Sequence, residues 1–327
     1  MTQLCTNDIP EEQPPVYATK RLTVEAAEAL LYVEHPLLVS DVPGAAHGHW
    51  ALVDYMGGDA AVVDGARTST NFGMEVRNVR DDRGLIFYLM ENAHTSPFEQ
   101  VSLKFHLKLP LFVFAQLCRT RTAKLNSASA RYSVMKSEFY LPSPEQLRKQ
   151  STTNKQATEE AADAAMAIEA SRQIMEWCAA GYNLYDELLG DVLNPEDDEA
   201  KWRRNGIARE QARVVLPQNL FTNIVWKIDL HNLFHFLGLR LDWHAQQEIR
   251  VYAEGMAVAA RAVAPLCWEA FEEFRLGGAR LSATDLAFFR RLWGFYKGEV
   301  EDADGNARAA LGKRAGKMLA LLEAGDA

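Results

Sequence analysis

The sequence predicts an α+β fold, an antiparallel sheet with long helices plus extra segments at both ends, and three observations carry that expectation. In Val101 to Leu109, the apolar Val101, Leu103, Phe105, Leu107 and Leu109 alternate with Ser102, Lys104, His106 and Lys108. That period of two belongs to a half-buried antiparallel strand. Thr158 to Leu189 is rich in Ala, Glu, Met and Leu with few breakers, a long helix by propensity. Trp243 to Phe274 reads as a second long helix.

The remaining elements follow along the chain. Residues 1–20, rich in Pro and acidic groups, read as an arm that orders only against a partner, with ordered structure from Val24. Leu52-Val53 and Ala60 to Val63 are buried elements flanking the turn Gly57-Gly58-Asp59. Gly84 to Asn92 is helical by periodicity, and His94-Thr95-Ser96-Pro97-Phe98-Glu99 breaks it. Pro110 suits the first turn of a helix from Leu111 to about Arg119. The acidic stretch Asn194 to Glu199 ends the long helix, and Lys201-Trp202-Arg203-Arg204 leads into another through Ala212 to Leu216, stopped by Pro217. Phe221 to Ile228 is a strand and Leu230 to Leu239 a short helix carrying His231 and His235. Two amphipathic helices, Ala283 to Tyr296 and Ala307 to Leu322, flank a turn near Asp302-Ala303-Asp304-Gly305.

With 48% hydrophobic and 24% charged residues over 327 positions, the composition is globular. A formal net charge of −9 argues against nucleic acid or an anionic membrane as partner, since both need an extended basic surface. Cys5, Cys118, Cys178 and Cys267 form no C-x-x-C pair, and the chain shows neither a signal peptide nor a run of eighteen apolar residues. The expectation is a cytoplasmic protein with reduced thiols. Against the acidic background, Cys118 to Ser133 gathers Arg119, Arg121, Arg131, Lys124 and five serine or threonine hydroxyls into sixteen residues. Arginine forks and hydroxyls are the groups that clamp phosphate oxygens. Residues two apart on a helix point in different directions, so Arg119 and Arg121 serve two ligands or two faces of one.

Other local patterns are less specific. His231 and His235 stand at i and i+4, with Asp242 and His244 shortly after, a spacing able to hold zinc. The H-E-x-x-H pattern fails because Asn232 replaces the glutamate, so no metal is expected. His47-Gly48-His49 reads as a loop, and Gly312 to Lys317 as the basic face of a solvated helix rather than a phosphate loop. No G-x-G-x-x-G fingerprint is present, so a dinucleotide would bind outside a Rossmann fold.

Taken in order, the motifs resemble the flavin-dependent thymidylate synthases. The residues carrying the likeness are H-x-[ST]-P-F-E at His94 to Glu99, Gln116-x-x-Arg119-Thr120-Arg121, seven residues, then Ser129-Ala130-Arg131-Tyr132-Ser133. Downstream, Ala212 to Thr222 and Leu239 to Ile249 also match, so the resemblance spans roughly residues 50 to 275. It implies that family's fold: a catalytic domain over 21–275 with a helical insertion at about 150–205, preceded by the 1–20 arm and followed by a helical extension over 276–327.

The resemblance also implies a reaction: methylation of uracil C5 in dUMP, with methylenetetrahydrofolate as carbon donor, FAD as redox carrier and NADPH as reductant. No side chain attacks the pyrimidine, so the protein orients and stabilises. Gln116, Ser127, Ser129, Ala130, Arg131, Arg213 and Arg240 match or adjoin nucleotide positions, Ser129 and Arg131 near the phosphate and Arg240 against the uracil. Of these, Arg240, Ser129 and Gln116 are the candidate catalytic residues. Ser69, His94, Ser96, Glu99, Arg119, Thr120, Arg121 and His244 match flavin positions, with Asp229, His231 and His235 nearby. The family implies a homotetramer with sites between subunits.

The chain departs from the family pattern at the signature histidine, here Thr120, and at Lys124, Ser127, Asp229 and His231. A small side chain at Ser127 leaves room for an extra sugar hydroxyl, which is the ground for expecting dUMP, UMP or both as substrate, with a UMP-preferring methylase of the kind found in nucleoside-antibiotic pathways as the alternative. The arm, insertion and C-terminal helices are read as further signs of a specialised relative. A paralogue that binds flavin and nucleotide without turnover is the remaining alternative.

Overall fold

The computed structural model describes residues 20–21, 48–68, 79–152, 158–192, 203–279 and 281–303. Backbone contacts divide the chain into two compact units, residues 1–272 and 273–327. The larger unit is organised on a five-stranded sheet, ordered β1-β2-β3-β9-β4 with every neighbouring pair antiparallel. Its strands are β1 (Lys20–Arg21), β2 (His49–Met56), β3 (Ser102–Pro110), β4 (Lys124–Ser127) and β9 (Phe221–Asp229).

The alternation in β3 sets the two faces. Leu103, Phe105, Leu107 and Leu109 are fully buried, while Ser102, Lys104, His106 and Lys108 lie on the wetter face. In register with them, Ile224, Trp226 and Ile228 of β9 are buried. Between Leu52 and Asp54 the β2–β3 register shifts by one residue, a bulge that puts Asp54 opposite Lys104, 3.4 Å from its ammonium.

Helices cover the apolar face. They are α1 (Asp59–Thr68), α2 (Val79–Glu91), α3 (Leu111–Leu117), α6 (Leu230–Arg240), α7 (Gln247–Val263) and α8 (Pro265–Phe271). Phe236 of α6 packs on Trp226 at 5.5 Å between ring centroids, and Phe234 stacks on Phe271 of α8 at 4.3 Å. The expected single helix from Trp243 to Phe274 is corrected here. Trp243 to Gln246 turn before α7 begins, and Pro265, which cannot donate a backbone hydrogen bond, separates α7 from α8. The Asp59 carboxylate holds that junction, accepting from Leu266 N at 3.0 Å and Cys267 N at 2.9 Å.

The expected helix from Thr158 is corrected likewise. Residues Thr158–Ala161 form strand β6, paired with β5 (Arg148–Gln150), and helix α4 runs from Ala164 to Leu189. Asp163 caps α4, accepting from Ala165 N and Met166 N, and Gly190 ends it at φ 76°, where a side chain would be strained. The acidic stretch 194–199 lies outside the described residues and is not needed as a stop. Gly190–Val192 (β7) then pairs with Arg203–Asn205 (β8), and the expected helix through Ala212 to Leu216 is one turn, α5 (Arg209–Ala212), followed by a 3-10 turn over Arg213–Val215.

A second core lies under α4: Met135, Phe139, Cys178, Tyr185, Leu189, Ala212 and Leu220. In the smaller unit, α9 runs from Ala283 to Ala303, past the expected stop at Tyr296. Most of the arm, the first ordered residue at Val24, Ser69, His47, the Gly312 to Lys317 segment and the expected helix 307–322 lie outside the described residues. His49 opens strand β2 and is not in a loop.

Candidate active site

The candidate site is built where α3 runs out. Cys118 caps the helix, Thr120 N donates to Leu117 O at 3.0 Å and Ala123 N to Thr120 O at 3.2 Å, and the chain turns into β4. On that turn Arg119 and Arg121 are exposed and Thr120 half-buried. Their backbone amides donate to Gln116 O and Arg119 O, at 3.1 Å each, but neither guanidinium group makes a hydrogen bond or ion pair with a described residue. Cations left without an internal partner at a turn are suited to an external anion.

Strand β4 pairs with β9 from Lys124 to Ser127, and Ala128 N continues the ladder to Asn223 O at 2.8 Å. The backbone then closes on itself. Tyr132 N and Ser133 N both donate to Ser129 O, at 3.0 and 3.2 Å, and Arg131 N donates to Ser129 Oγ at 3.2 Å. Helix α4 anchors the exit of this turn, because Tyr182 Oη donates to Met135 O at 2.8 Å and Met135 N to Tyr185 Oη at 3.2 Å. The segment expected as a helical insertion therefore fixes the serine–arginine turn.

A cavity of about 610 Å³ opens beside this turn, within the range of small-molecule sites. Ser127, Ser129, Glu210, Arg213 and Thr222 give it polar edges, and Leu111, Phe114, Ala130, Met135, Leu216 and Leu220 an apolar wall. Arg131 joins its rim through an ion pair to Glu210, Nε to Oε2 at 2.8 Å, and Arg213 Nε donates to the Glu210 carbonyl at 3.2 Å. Glu210 and Thr222 were not among the residues singled out from the sequence. Glu210 lies one helical turn before Arg213, and that spacing was the available signal.

The other expected residues are dispersed. Gln116 and Arg240 do not line the cavity: the Gln116 side-chain amide donates to Gln246 Oε1, and Arg240 ends α6 with its guanidinium making no hydrogen bond or ion pair to a described residue. His94, Ser96 and Glu99 are exposed around the 3-10 turn Ser96–Gln100, with the His94 ring edge-on to Tyr88 at 5.8 Å. Asp229 serves as the N-cap of α6, accepting from Asn232 N at 2.9 Å and from the Asn232 amide. His231 is half-buried and His235 exposed on the same helix. His244 Nδ1 lies 2.7 Å from Asp242 Oδ1, and hydrogen bonds from His244 hold the Asp242 carboxyl below its usual range. Among the described residues no three metal-ligating side chains gather where an ion could sit.

Burial raises the Cys118 thiol more than neighbouring Arg119 lowers it. The one cysteine near the signature is thus a protonated thiol at neutral pH, a poor nucleophile. A flavin nucleotide presents phosphate and carbonyl oxygens, and the guanidinium groups of Arg119, Arg121 and Arg240, which have no partner among the described residues, are donors that fit such a group.

The family described as thymidylate synthase complementing protein matches residues 51–266. A flavin-dependent thymidylate synthase of Wolbachia pipientis wMel is 43% identical over 308 residues, covering 94% of this chain and 98% of that one. The Gluconobacter oxydans protein of the same name is 46% identical over 273 residues, 84% of each chain. Among solved structures, the UMP/dUMP methylase PolB of Streptomyces cacaoi bound with 5-Br UMP is 32% identical with a TM-score of 0.59, covering 70% of this chain and 95% of that one. Its complex with 5-Br dUMP gives 31% and 0.61, covering 70% and 96%. The Wolbachia alignment leaves little of either chain unmatched, so the segments outside the compact core do not by themselves mark a specialised relative. The family match over residues 51–266, together with these identities, shows that the chain belongs to the flavin-dependent thymidylate synthase family.

Proposed function

We propose that this protein methylates C5 of the uracil ring of dUMP, with methylenetetrahydrofolate as carbon donor, FAD as the flavin and NADPH as reductant, in the cytoplasm. The observation that carries the reading is the cavity beside the Ser129 turn, where Ser127, Ser129 and Arg213 line one polar edge and Arg131 stands at the rim. Ser129 and the Arg131 and Arg213 guanidinium groups hold the nucleotide phosphate by charge-assisted hydrogen bonds. The apolar wall of Leu111, Phe114 and Leu216 shields the base from water.

Arg240 lies outside this cavity, which fits its being supplied by a neighbouring subunit of a homotetramer. There its planar fork faces the uracil carbonyl and stabilises negative charge developing on the ring. Arg119 and Arg121, with His94, Ser96, Glu99, Thr120 and His244, hold the flavin. When bound, the flavin supplies the hydride chemistry that the side chains lack. With Cys118 held as a thiol, the chain's own work is orientation, exclusion of water and charge stabilisation.

A second reading, methylation of UMP, rests on Ser127, an exposed small side chain on the cavity wall. The structural neighbour captured with both 5-Br UMP and 5-Br dUMP supports it. Purified, flavin-loaded protein given methylenetetrahydrofolate and NADPH is expected to convert dUMP to dTMP, and parallel incubation with UMP tests the second reading. A yellow protein that binds nucleotide but forms no methylated product from either would overturn both.

A further inference from the structure

The cavity meant for an anion has a carboxylate on its wall. Glu210 lines it together with Ser127, Ser129 and Arg213, and its Oε2 occupies the Nε of Arg131 at 2.8 Å. Its backbone carbonyl also accepts from Arg213 Nε at 3.2 Å, so both rim arginines are tied to this one residue. A fixed negative charge beside a phosphate site opposes binding, and a residue that did nothing but oppose would be costly to the reaction.

We propose that Glu210 is an internal counter-ion which the nucleotide phosphate displaces from Arg131, making it a positioning residue that sets selectivity for a phosphate dianion. In the empty cavity the carboxylate neutralises Arg131 and holds its guanidinium at the rim. The ion pair is partly exposed, 59% and 49% for the two side chains, so its strength is modest and exchange is easy. A dianion offering two oxygens to the guanidinium fork outcompetes one carboxylate, whereas an uncharged nucleoside has nothing to exchange and a singly charged anion gains little. Residue 210 sits in the one-turn helix α5, whose Ala212 is fully buried against the core under α4, so the carboxylate can swing while its backbone stays in place.

This rests on the reading of Arg131 as a phosphate residue, and the test separates the two. Titration calorimetry on the FAD-loaded protein compares dUMP with deoxyuridine for wild type, E210Q, E210A, R131A and R131A/E210Q. If Glu210 is a displaced counter-ion, E210Q and E210A bind dUMP about threefold tighter or more, the scale of an exposed ion pair. Deoxyuridine affinity stays unchanged, and E210Q has no effect in the R131A background. Unchanged or weaker dUMP binding by E210Q, in a protein whose wild type prefers dUMP to deoxyuridine, overturns the counter-ion. Failure of the wild type to prefer dUMP overturns the nucleotide reading instead.

Discussion

His49 Nε2 and His106 Nδ1 lie 2.9 Å apart across β2 and β3, with Lys108 and its partner Glu138 facing the same pair. One imidazole must donate and the other accept, so the contact needs at least one neutral ring. Burial above all, then the charges of His106 and Lys108, lowers His49 from its ordinary 6.5 to about 4, against an opposing pull from Glu138. Because the folded value lies below the unfolded one, the unfolded chain takes up the proton first. Stability is therefore full above pH 6.5 and falls as pH drops toward 4. The ring is only part-buried, so the loss is on the order of 1–2 kcal/mol rather than the whole shift. Urea unfolding at steps between pH 7 and pH 4 is expected to show this slope, and His49→Gln to flatten it.

Gly255 lets α7 press against the sheet. A Cβ there would fall 2.1 Å from Trp50 Cε2 and 2.2 Å from its Nε1, and Trp50 is itself buried at 2% exposure. At such distances the helix or the indole must shift. Gly255→Ala is expected to cost about 1–3 kcal/mol, as overpacked cores do. At about 2–4 °C per kcal/mol, thermal unfolding resolves the change. Trp50→Phe in the same chain, by shortening the ring, recovers part of the loss.

Asp229 was expected beside the flavin, yet its carboxylate is engaged at the N-terminus of α6. Asp229→Ala removes the cap and is expected to cost about 0.5–2 kcal/mol. Asp229→Asn keeps a capping oxygen and should stay close to wild type in stability. A flavin titration of both variants separates the roles: if binding follows the cap, Asn behaves as wild type and Ala does not.

The legible parts of the molecule were those fixed by local pattern. The alternation of Val101 to Leu109 placed β3 and its buried face, and Phe221 to Ile228 gave β9 almost to the residue. Thr158–Ala161 has helical composition but forms a strand, because pairing with Arg148–Gln150 overrides a weak propensity. The break between α7 and α8 sits at Pro265, whose signal is masked by the helical composition on either side of it. At the site, Ser127, Ser129, Ala130 and Arg213 were named from the sequence and share one cavity. Glu210 was not, since its ion pair joins positions 79 residues apart that only the packing of α4 over both brings together.

Arg240 offers the sharpest test of the division of labour. It closes α6 half-buried, its guanidinium making no hydrogen bond or ion pair to a described residue, while the helix carrying it is held by Leu230, Leu233, Phe234, Phe236 and Leu237 in the core. Its guanidinium is therefore dispensable for folding, and Arg240→Lys or Arg240→Ala is expected to leave the melting temperature unchanged. If it stabilises charge on the uracil, kcat/KM for dUMP falls about 100- to 1000-fold, the range for loss of one such donor. Lysine keeps the charge without the planar fork, so a lysine variant close to alanine in kcat points to bidentate geometry, and one close to wild type to charge alone. Mixing Arg240→Ala with an Arg213→Ala variant then tests whether the two residues belong to one site from different subunits. Mixed assemblies that regain activity, when neither parent has it, require that one subunit lend its Arg240 to another subunit's cavity.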